Sequence, residues 1–406
     1  MTGIGKETIL QTPYYHISES DLIYDIELLK TSLASNWGSQ YVCGYSVKTN
    51  SLPWLLAYLK KSDFMAEVVS EEEYKLVRHL GYPIDRIIYN GPIKDRTVFE
   101  EVLLGQGILN MDSTEEPLWL KDLCDAHPDR IFPVGIRMNC DLQSECPEEQ
   151  LASEDGGRFG YCYENGSAAN VIEQIKKIPN ARLAGLHLHS STQSRTPNVY
   201  GALARMAVRL AREYDLDLTY IDMGGGYFGG RDDKPSYPDY FAVICPELKQ
   251  HFDPDKVKLV VEPGVSLISR CTTFVTSVLD IKDIREHRYI VTDGSRLNLN
   301  PQVTRHVYPH HFVYNNKLAR RTLPTQWICG FTCMEYDRLF EITGEPELVP
   351  GDLVVYDTAG GYTMCLNPLF IKYLPAVYVT HKDGTVFQAR EPWGLDEYLQ
   401  KNHVEE

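Results

Sequence analysis

Short apolar runs alternate with amphipathic stretches over roughly the first two thirds of the chain. Strands and helices that alternate at this spacing indicate βα units on a parallel sheet, and eight such units are typical of a closed (β/α)8 barrel. We therefore predict a barrel whose strands lie at Tyr41–Val47, Phe64–Val69, Arg86–Tyr89, Gly107–Met111, Ile131–Met138, Leu183–His189, Leu216–Met223 and Val257–Val261. The helix-like stretches are Pro53–Lys61, Glu71–Leu80, Asp95–Leu104, Glu115–Ala126, Ala168–Lys177, Pro197–Tyr214 and Tyr237–His251.

The pattern changes after about residue 265 to β-rich runs separated by Gly, Asp and Pro turns. This change predicts a second, mainly antiparallel domain. We place the barrel at residues 31–265 and the β-rich domain at 266–406, and we expect residues 1–30 to pack on the second domain. The β-rich runs are Cys271–Ile281, Arg288–Thr292, Gln326–Phe331, Leu353–Tyr356, Ala376–Thr380 and Thr385–Gln388.

The amino-acid composition limits the classes of binding partner that we expect. Lys plus Arg number 40 against 56 Asp plus Glu, a net charge of −16 without basic blocks, so neither nucleic acid nor an anionic membrane is an expected partner. The 10 cysteines include no CxxC pair, so no metal site is expected. The chain start lacks a secretory signal and no run approaches the ~20 apolar residues of a membrane span, which predicts a cytoplasmic protein.

The ends of the predicted strands carry candidate chemistry, because catalytic groups of (β/α)8 barrels follow the strands. The first strand leads into Lys48. Apolar surroundings there would favour a neutral amine able to form a Schiff base. The alternative for this residue alone is a surface lysine that reaches solvent.

Other strand ends add Arg137, His189, Gly224–Gly226 and Glu262. Glycines between a strand and a helix let backbone N–H groups approach a phosphate. A lysine, a flat histidine face, a phosphate nest and a carboxylate together describe a pocket for pyridoxal 5′-phosphate. Lys48 would bind the cofactor covalently, His189 would stack on its ring, and Glu262 would keep the ring nitrogen protonated.

Seven motifs, read in order, extend this pattern over nearly the whole chain. They resemble those of the fold-type III pyridoxal-phosphate decarboxylases, which include the ornithine and diaminopimelate decarboxylases and share the two-domain architecture of alanine racemase. The motifs are YSVKTN at 45–50, EVVSEEE at 67–73, GLHLHSSTQ at 185–193, DMGGG at 222–226, EPG at 262–264, GFTCMEYD at 330–337 and GGYT at 360–363.

The resemblance implies roles for individual residues. Cys333 would help to protonate the reacting carbon, and Cys333 and Asp337 would reach the barrel mouth of a second subunit, giving a homodimer with shared sites. Lys48, His189 and Cys333 would then be catalytic, and Asp337, Met334 and Glu335 would contact the substrate. The expected cofactor contacts are Lys48, Arg137, His189, Thr192, Gly224, Gly225, Gly226, Glu262, Gly264 and Tyr362.

Departures from the family pattern bear on the cofactor and the substrate. Val265 stands where the family commonly has an arginine near the phosphate, while Thr192 replaces a serine and keeps its hydroxyl. Met334 stands where relatives that act on basic amino acids place Asp or Glu against the distal ammonium. A methionine cannot neutralise a buried ammonium. We therefore expect the small-molecule substrate to be a diamino acid whose distal nitrogen is conjugated, as in siderophore or polyamine intermediates.

Alternatives stay open at this point. If Glu335 supplies the missing charge, the enzyme would decarboxylate diaminopimelate, ornithine or lysine. An amino-acid racemase has the same scaffold, but the Cys333 and Asp337 motif favours a decarboxylase. A non-catalytic pyridoxal-phosphate protein would be a single barrel without the second domain. An aldolase that forms its Schiff base with a sugar would bind no cofactor.

Overall fold

The computed structural model describes residues 10–147, 149, 156–190, 194–301, 307–315 and 319–405. The chain divides into two compact units, one formed by Ile26–Ser266 and one by Met1–Asp25 together with Leu267–Glu406. Within the described residues, none of the helices has the length and hydropathy that crossing a bilayer requires.

Strands and helices are labelled in chain order over the described residues. The strands are β1 (Tyr14–Ser18), β2 (Tyr41–Ser46), β3 (Met65–Val68), β4 (Ile87–Tyr89), β5 (Ile108–Met111), β6 (Phe132–Asn139), β7 (Tyr161–Cys162), β8 (Ala181–His187), β9 (Tyr220–Asp222), β10 (Lys258–Val261), β11 (Thr272–Ile284), β12 (His287–Thr292), β13 (His310–Val313), β14 (Thr322–Cys329), β15 (Arg338–Pro346), β16 (Leu353–Tyr356), β17 (Ala376–Thr380) and β18 (Val386–Arg390). The α-helices are α1 (Glu19–Asn36), α2 (Pro53–Lys61), α3 (Glu71–His79), α4 (Arg96–Leu104), α5 (Glu116–Ala126), α6 (Ser167–Lys176), α7 (Pro197–Glu213), α8 (Tyr237–Leu248), α9 (Val265–Ile268), α10 (Arg296–Leu299) and α11 (Leu395–Leu399).

The first unit is a closed parallel barrel. Its strands follow the order β2, β3, β4, β5, β6, β8, β9 and β10, and β10 pairs with β2 to close the ring. The two-residue strand β7 pairs with β6 outside the ring. Each barrel strand overlaps one of the eight predicted apolar runs, so the predicted (β/α)8 barrel is confirmed.

Burial explains why the barrel strands are apolar rather than alternating. All residues of β3, β4 and β9 are buried, because each strand faces the interior on one side and the helices on the other. Met65, Ile88, Ala184, Tyr220 and Val260 pack together inside the ring. The interior is therefore a filled core, and the polar side chains of the strand carboxyl ends meet at one rim.

Helices begin soon after the strands because polar caps follow them. Ser70 accepts a hydrogen bond from the backbone of Glu73 at the start of α3, and Asp95 accepts one from Val98 at the start of α4. These caps satisfy donors at the helix ends and keep the βα loops short.

The second unit is a mainly antiparallel sheet, as predicted. Its strands run in the order β15, β14, β12, β11, β1, β17 and β18, with β16 beside β11 and β13 beside β16. Among the described residues of this sheet, only the β1–β17 and β12–β14 pairs are parallel. The sheet includes β13 and β15, which the sequence pattern did not predict, and β1 lies between β11 and β17.

Candidate active site

The first barrel strand presents Lys48 at the rim. A single 3-10 turn at Val47–Thr49 follows β2, and it buries Val47 and Thr49 while the Lys48 side chain stays 40% exposed. The Nζ of Lys48 lies 2.9 Å from Oε2 of Glu67, which also accepts a hydrogen bond from Ser46 at 2.6 Å. The expectation that Lys48 has apolar surroundings is therefore wrong, because its amine pairs with the buried carboxylate of Glu67.

A second buried carboxylate, Glu262, follows β10. The side-chain nitrogen of Asn90 donates to Glu262 at 2.6 Å and to Glu67 at 3.2 Å. Asn90 follows β4 directly, so three strand ends contribute to one connected network. The carboxylate beside the lysine and the carboxylate predicted to meet the cofactor are thus linked through one amide.

Glu262 shares its surroundings with Asp222, the last residue of β9. Burial, followed by the charge of Glu262, raises the pKa of Asp222 well above its ordinary value. Burial alone would also raise the pKa of Glu262, but His187 and Lys48 outweigh it and hold that pKa below its usual range. Asp222 therefore favours its protonated form, and Glu262 favours its ionised form.

The ring of His189 is held in one tautomer. The backbone N–H of Gly225 donates to Nδ1 of His189 at 3.2 Å, so Nδ1 is unprotonated and Nε2 carries the hydrogen. Burial, with the neighbouring charge of Arg137, lowers the pKa of His189 to about 3. The histidine therefore offers a neutral, flat face. Its ring lies at 23° to that of His187, with the centroids 6.2 Å apart.

The glycine turn after β9 differs from the expected nest of three free amides. The Gly224 N–H donates to Asp222 at 2.9 Å and the Gly225 N–H to the imidazole, so two of the three amides are committed within the protein. For Gly226, no acceptor of its N–H is found in the described part of the chain. A Cβ at Gly225 would lie 2.1 Å from the carbonyl oxygen of Glu262, which is why this approach requires glycine.

Arg137, near the end of β6, contacts the backbone of His189. Its guanidinium lies 3.5 Å from the Asp112 carboxylate and donates to the His189 carbonyl oxygen at 3.4 Å. It also packs over the ring of Phe159 at 4.8 Å. Its buried Nε has no hydrogen-bond partner among the described residues.

A buried ion pair lies beside the same rim. Lys94 and Glu116 have fully buried side chains, and the Lys94 Nζ is 3.2 Å from both Glu116 oxygens. Glu116 also accepts hydrogen bonds from the Asp112 backbone and the Ser113 hydroxyl. The pair therefore fixes the loop after β5, whose Asp112 contacts Arg137.

In the second unit, the turn at 330–337 corrects the role expected for Asp337. Its side chain is buried, and its carboxylate accepts hydrogen bonds from Ser295, the Arg296 backbone and the hydroxyl and backbone of Thr332. A carboxylate with these donors is not available to a substrate. Asp337 instead holds the turn that carries Cys333.

The neighbouring residues are more accessible. Cys333 is exposed, Met334 is half-buried, and the Glu335 side chain is 96% exposed and pairs with Arg338 at 3.3 Å. Tyr362 is 40% exposed and has a φ of 58°. Thr192 lies outside the described residues.

Sequence reasoning missed several members of the rim. These residues share one signal, their position in or just after a barrel strand, but the ends of β3, β4 and β5 were not analysed for chemistry. They are Asn90 and Asn110, which belong to none of the motifs, together with Glu67, His187 and Asp222, which lie in motifs that were given no role for them.

The closed barrel, the exposed lysine and the neutral histidine define a cofactor-binding barrel enzyme. A family model described as "Pyridoxal-dependent decarboxylase, pyridoxal binding domain" matches residues 22–269, and the chain belongs to this family. It is a carbon–carbon lyase, and its cofactor is pyridoxal phosphate.

Individual relatives agree with this assignment. The chain is 25% identical over 402 residues to a probable chloroplastic diaminopimelate decarboxylase of Oryza sativa subsp. japonica, covering 96% of this chain and 79% of the relative. It is 23% identical over 423 residues to the L-glutamyl-[BtrI acyl-carrier protein] decarboxylase of Niallia circulans, covering 98% and 95%. A structure of Helicobacter pylori diaminopimelate decarboxylase complexed with L-lysine superposes with a TM-score of 0.81 at 19% identity, covering 97% of both chains.

The residues at the rim fit pyridoxal phosphate. Among the described residues, the Gly226 amide has no acceptor and Nδ1 of the buried His187 has no hydrogen-bond partner, while Nε2 of His187 lies 3.5 Å from the Glu262 carboxylate. The donor set offers an amine, an ionised carboxylate and a neutral aromatic face, which match an aldehyde, a ring nitrogen and a planar ring.

Proposed function

We propose that this enzyme decarboxylates an amino acid whose distal nitrogen is conjugated, at a site built around Lys48, His189 and Glu262. Pyridoxal phosphate, when bound, supplies an electron-withdrawing ring that accepts the electron pair left behind as carbon dioxide departs. The observation that carries the site is the convergence of these three side chains with Glu67 at one rim of the barrel.

Each side chain has a defined task in this proposal. Lys48 would hold the cofactor covalently, and Glu67 orients its amine. His189 would offer its neutral ring to the cofactor, because an imidazole that carries no charge suffers little desolvation penalty there. Glu262, kept ionised by its surroundings, would pair with the cofactor's ring nitrogen.

The phosphate is held without the arginine common in the family. The Gly226 amide is a donor with no acceptor among the described residues, and Gly264, Thr192 and Tyr362 remain proposed contacts. Arg137 acts one step away, through the His189 segment.

We propose a homodimer in which Cys333 of one subunit serves the barrel of the other. The exposure of Cys333 on the 330–337 turn supports this proposal, because a residue committed to its own unit's core could not reach a partner. The thiol donates the proton that replaces the departing carboxyl group. Asp337 contributes by shaping the turn.

The proposed substrate follows from the side chains beside Cys333. Met334 carries no charge, and Glu335 is 96% exposed and already paired with Arg338. A free distal ammonium would therefore find no fixed anion, whereas an acylated or citrylated nitrogen loses nothing on burial.

The name of the Niallia circulans relative describes a glutamyl group attached to a carrier protein, which is a conjugated amino acid but one without a distal nitrogen, so it supports conjugation of the substrate and not the nature of its distal arm. The rice and Helicobacter pylori relatives favour a second candidate, free diaminopimelate. The two candidates differ in whether the distal nitrogen of the substrate carries a positive charge.

Competition between substrates separates them. Equimolar Nδ-acylated ornithine, Nε-citryl lysine, ornithine, lysine and meso-diaminopimelate are offered together, and mass spectrometry of the products gives the kcat/KM ratios. We expect the conjugated amino acids to lead by a factor of roughly 10 to 200, and Met334→Asp to shift preference towards free diamines.

Glu335→Gln is the matched control, since it removes the carboxylate of the residue next to Met334. The conjugated-substrate proposal fails if the wild type processes a free diamino acid at ~10⁴ M⁻¹s⁻¹ or better. Loss of that activity in Glu335→Gln would identify Glu335 as the charge partner.

A further inference from the structure

The side-chain nitrogen of Asn90 lies between two buried carboxylates. It is 2.6 Å from Oε1 of Glu262 and 3.2 Å from Oε1 of Glu67. A primary amide nitrogen has two hydrogens, so it can donate one to each. The other carboxylate oxygen of Glu67, Oε2, accepts hydrogen bonds from the Lys48 amine and the Ser46 hydroxyl.

The orientation of Asn90 is fixed from its other side. Because the carboxylates need donors, the Asn90 oxygen must face away from them, and it accepts from the Asn110 nitrogen at 2.9 Å. Asn110 in turn accepts from the Tyr220 hydroxyl at 2.8 Å and donates its second hydrogen to Asp222 at 3.2 Å. A flipped amide at either position would set acceptor against acceptor.

The whole chain of contacts is buried. Tyr220, Asn110, Asn90, Glu67 and Glu262 are each at most 7% exposed. Water cannot replace a donor in such a network without room, so each hydrogen bond determines where its neighbours lie. A Cβ at Gly185 would lie 2.1 Å from the ring of Tyr220, so a glycine is needed opposite this residue.

We propose that Asn90 is a positioning residue: its amide nitrogen holds Glu67 against Lys48 and, at the same time, holds Glu262 in the orientation that meets the cofactor. The part that concerns Glu262 rests on the proposed function. No sequence motif pointed to this residue, and its role comes entirely from the two contacts of one nitrogen atom.

Electrostatics support this role. A hydrogen bond to a carboxylate favours its ionised form, and Glu262 is the ionised partner of Asp222. Loss of the Asn90 donor would make Glu262 a stronger base and would remove one of the hydrogen bonds that hold Glu67. Protons on groups that contact these carboxylates would then be held to higher pH.

Asn90→Leu tests the proposal, because leucine has nearly the same shape and no donor. Holoenzyme is titrated while the absorbance of bound pyridoxal phosphate is recorded against pH, and the cofactor dissociation constant is measured. We expect the absorbance midpoint to rise by about one pH unit and the dissociation constant to rise about tenfold. Asn90→Asp, which has no donor once ionised, should move the midpoint in the same direction.

The matched control is Asn180→Leu. Asn180 also donates several hydrogen bonds from one side-chain amide nitrogen, which is partly buried, but its acceptors are the carbonyl oxygens of Cys124, His127 and Arg130, at the opposite end of the strands. It should lower thermal stability and leave the midpoint unchanged.

Different outcomes would overturn the positioning role of Asn90 and the proposed function. An unchanged midpoint and an unchanged dissociation constant in Asn90→Leu overturn the positioning role; if that variant does not fold, the same result in Asn90→Asp does so. If borohydride reduction of the wild type labels a lysine other than Lys48, the proposed function fails instead, whatever the Asn90 variants show.

Discussion

His189 accepts a hydrogen bond at Nδ1 from the backbone N–H of Gly225, at 3.2 Å. This contact ties the glycine turn after β9 to the histidine after β8. The turn needs glycine for a steric reason, because Gly224 and Gly226 have φ values of 63° and 88° and a Cβ at Gly225 would lie 2.1 Å from the Glu262 carbonyl oxygen. It also fixes the charge of the ring expected to face the cofactor.

We predict that His189 stays neutral, with its hydrogen on Nε2, from pH 5 to pH 9. Its pKa of about 3 lies far below that range because burial disfavours the charged ring. Nitrogen-15 NMR of labelled histidines reports both tautomer and charge, and the half-exposed His311 serves as an internal reference. A His189 signal that titrates near pH 6 to 7 would contradict this prediction.

The lowered pKa of His189 also makes the stability of the folded protein depend on pH. The pKa of His189 is lower in the folded state than the ordinary 6.5, so the unfolded state binds more protons between those values. Stability is fully present above about pH 6.5 and falls as the pH decreases towards 3. His189→Asn should lose less thermal stability between pH 7 and pH 5 than the wild type; equal losses would mean that the histidine titrates alike in both states.

Glu262→Gln should reduce turnover far more than cofactor binding. Glutamine keeps the size but not the charge that pairs with the ring nitrogen, and removing one such electrostatic contact typically costs 10² to 10³ in kcat, roughly 3 to 4 kcal/mol. Cofactor affinity should fall less than about tenfold. Equilibrium dialysis and single-turnover carbon dioxide release provide the two numbers, and equal losses in both would make Glu262 a structural residue.

The Lys94–Glu116 pair should matter for folding and show strong coupling. Glu116→Gln leaves a fully buried ammonium without its counterion, which should cost about 3 to 5 kcal/mol in the free energy of unfolding. Lys94→Met should cost a similar amount. The double variant Lys94→Met/Glu116→Leu removes both charges and should be more stable than either single variant in urea titrations. Additive losses would show that the two charges act independently.

Catalysis should require two chains if Cys333 serves the partner's site. Lys48→Ala and Cys333→Ala proteins are each inactive in the proposal, but a mixed dimer contains one site with both residues intact. We expect up to about one quarter of wild-type activity after subunit exchange between equal amounts, since half the dimers are mixed and each has one working site. No recovery, with exchange confirmed by native mass spectrometry, would place both residues in one subunit's site.

The sequence predicted the barrel because its strands are buried on both faces. That burial makes them continuous apolar runs that helices separate, a pattern visible without coordinates. Lys48, His189 and Glu262 could be predicted from the sequence for a related reason. Each lies at or just after the end of such a run, and the closed ring brings the strand ends together.

The polar network could not be predicted in the same way. Asn90 and Asn110 are ordinary polar residues in sequence, and their importance depends on which carboxylates their nitrogens face across the barrel. Lys48 was expected among apolar neighbours because β2 is apolar, but Glu67 comes from the adjacent strand. Asp337 was assigned to a substrate by resemblance, whereas its carboxylate is occupied by four hydrogen bonds of its own unit.

The most direct test of the central claim is to locate the covalently bound cofactor. Holoenzyme is reduced with borohydride, digested, and mapped by mass spectrometry. The account predicts a pyridoxyl label on Lys48 and its loss in Lys48→Ala. A label on Lys94 or any other lysine of the wild type would contradict the site described here.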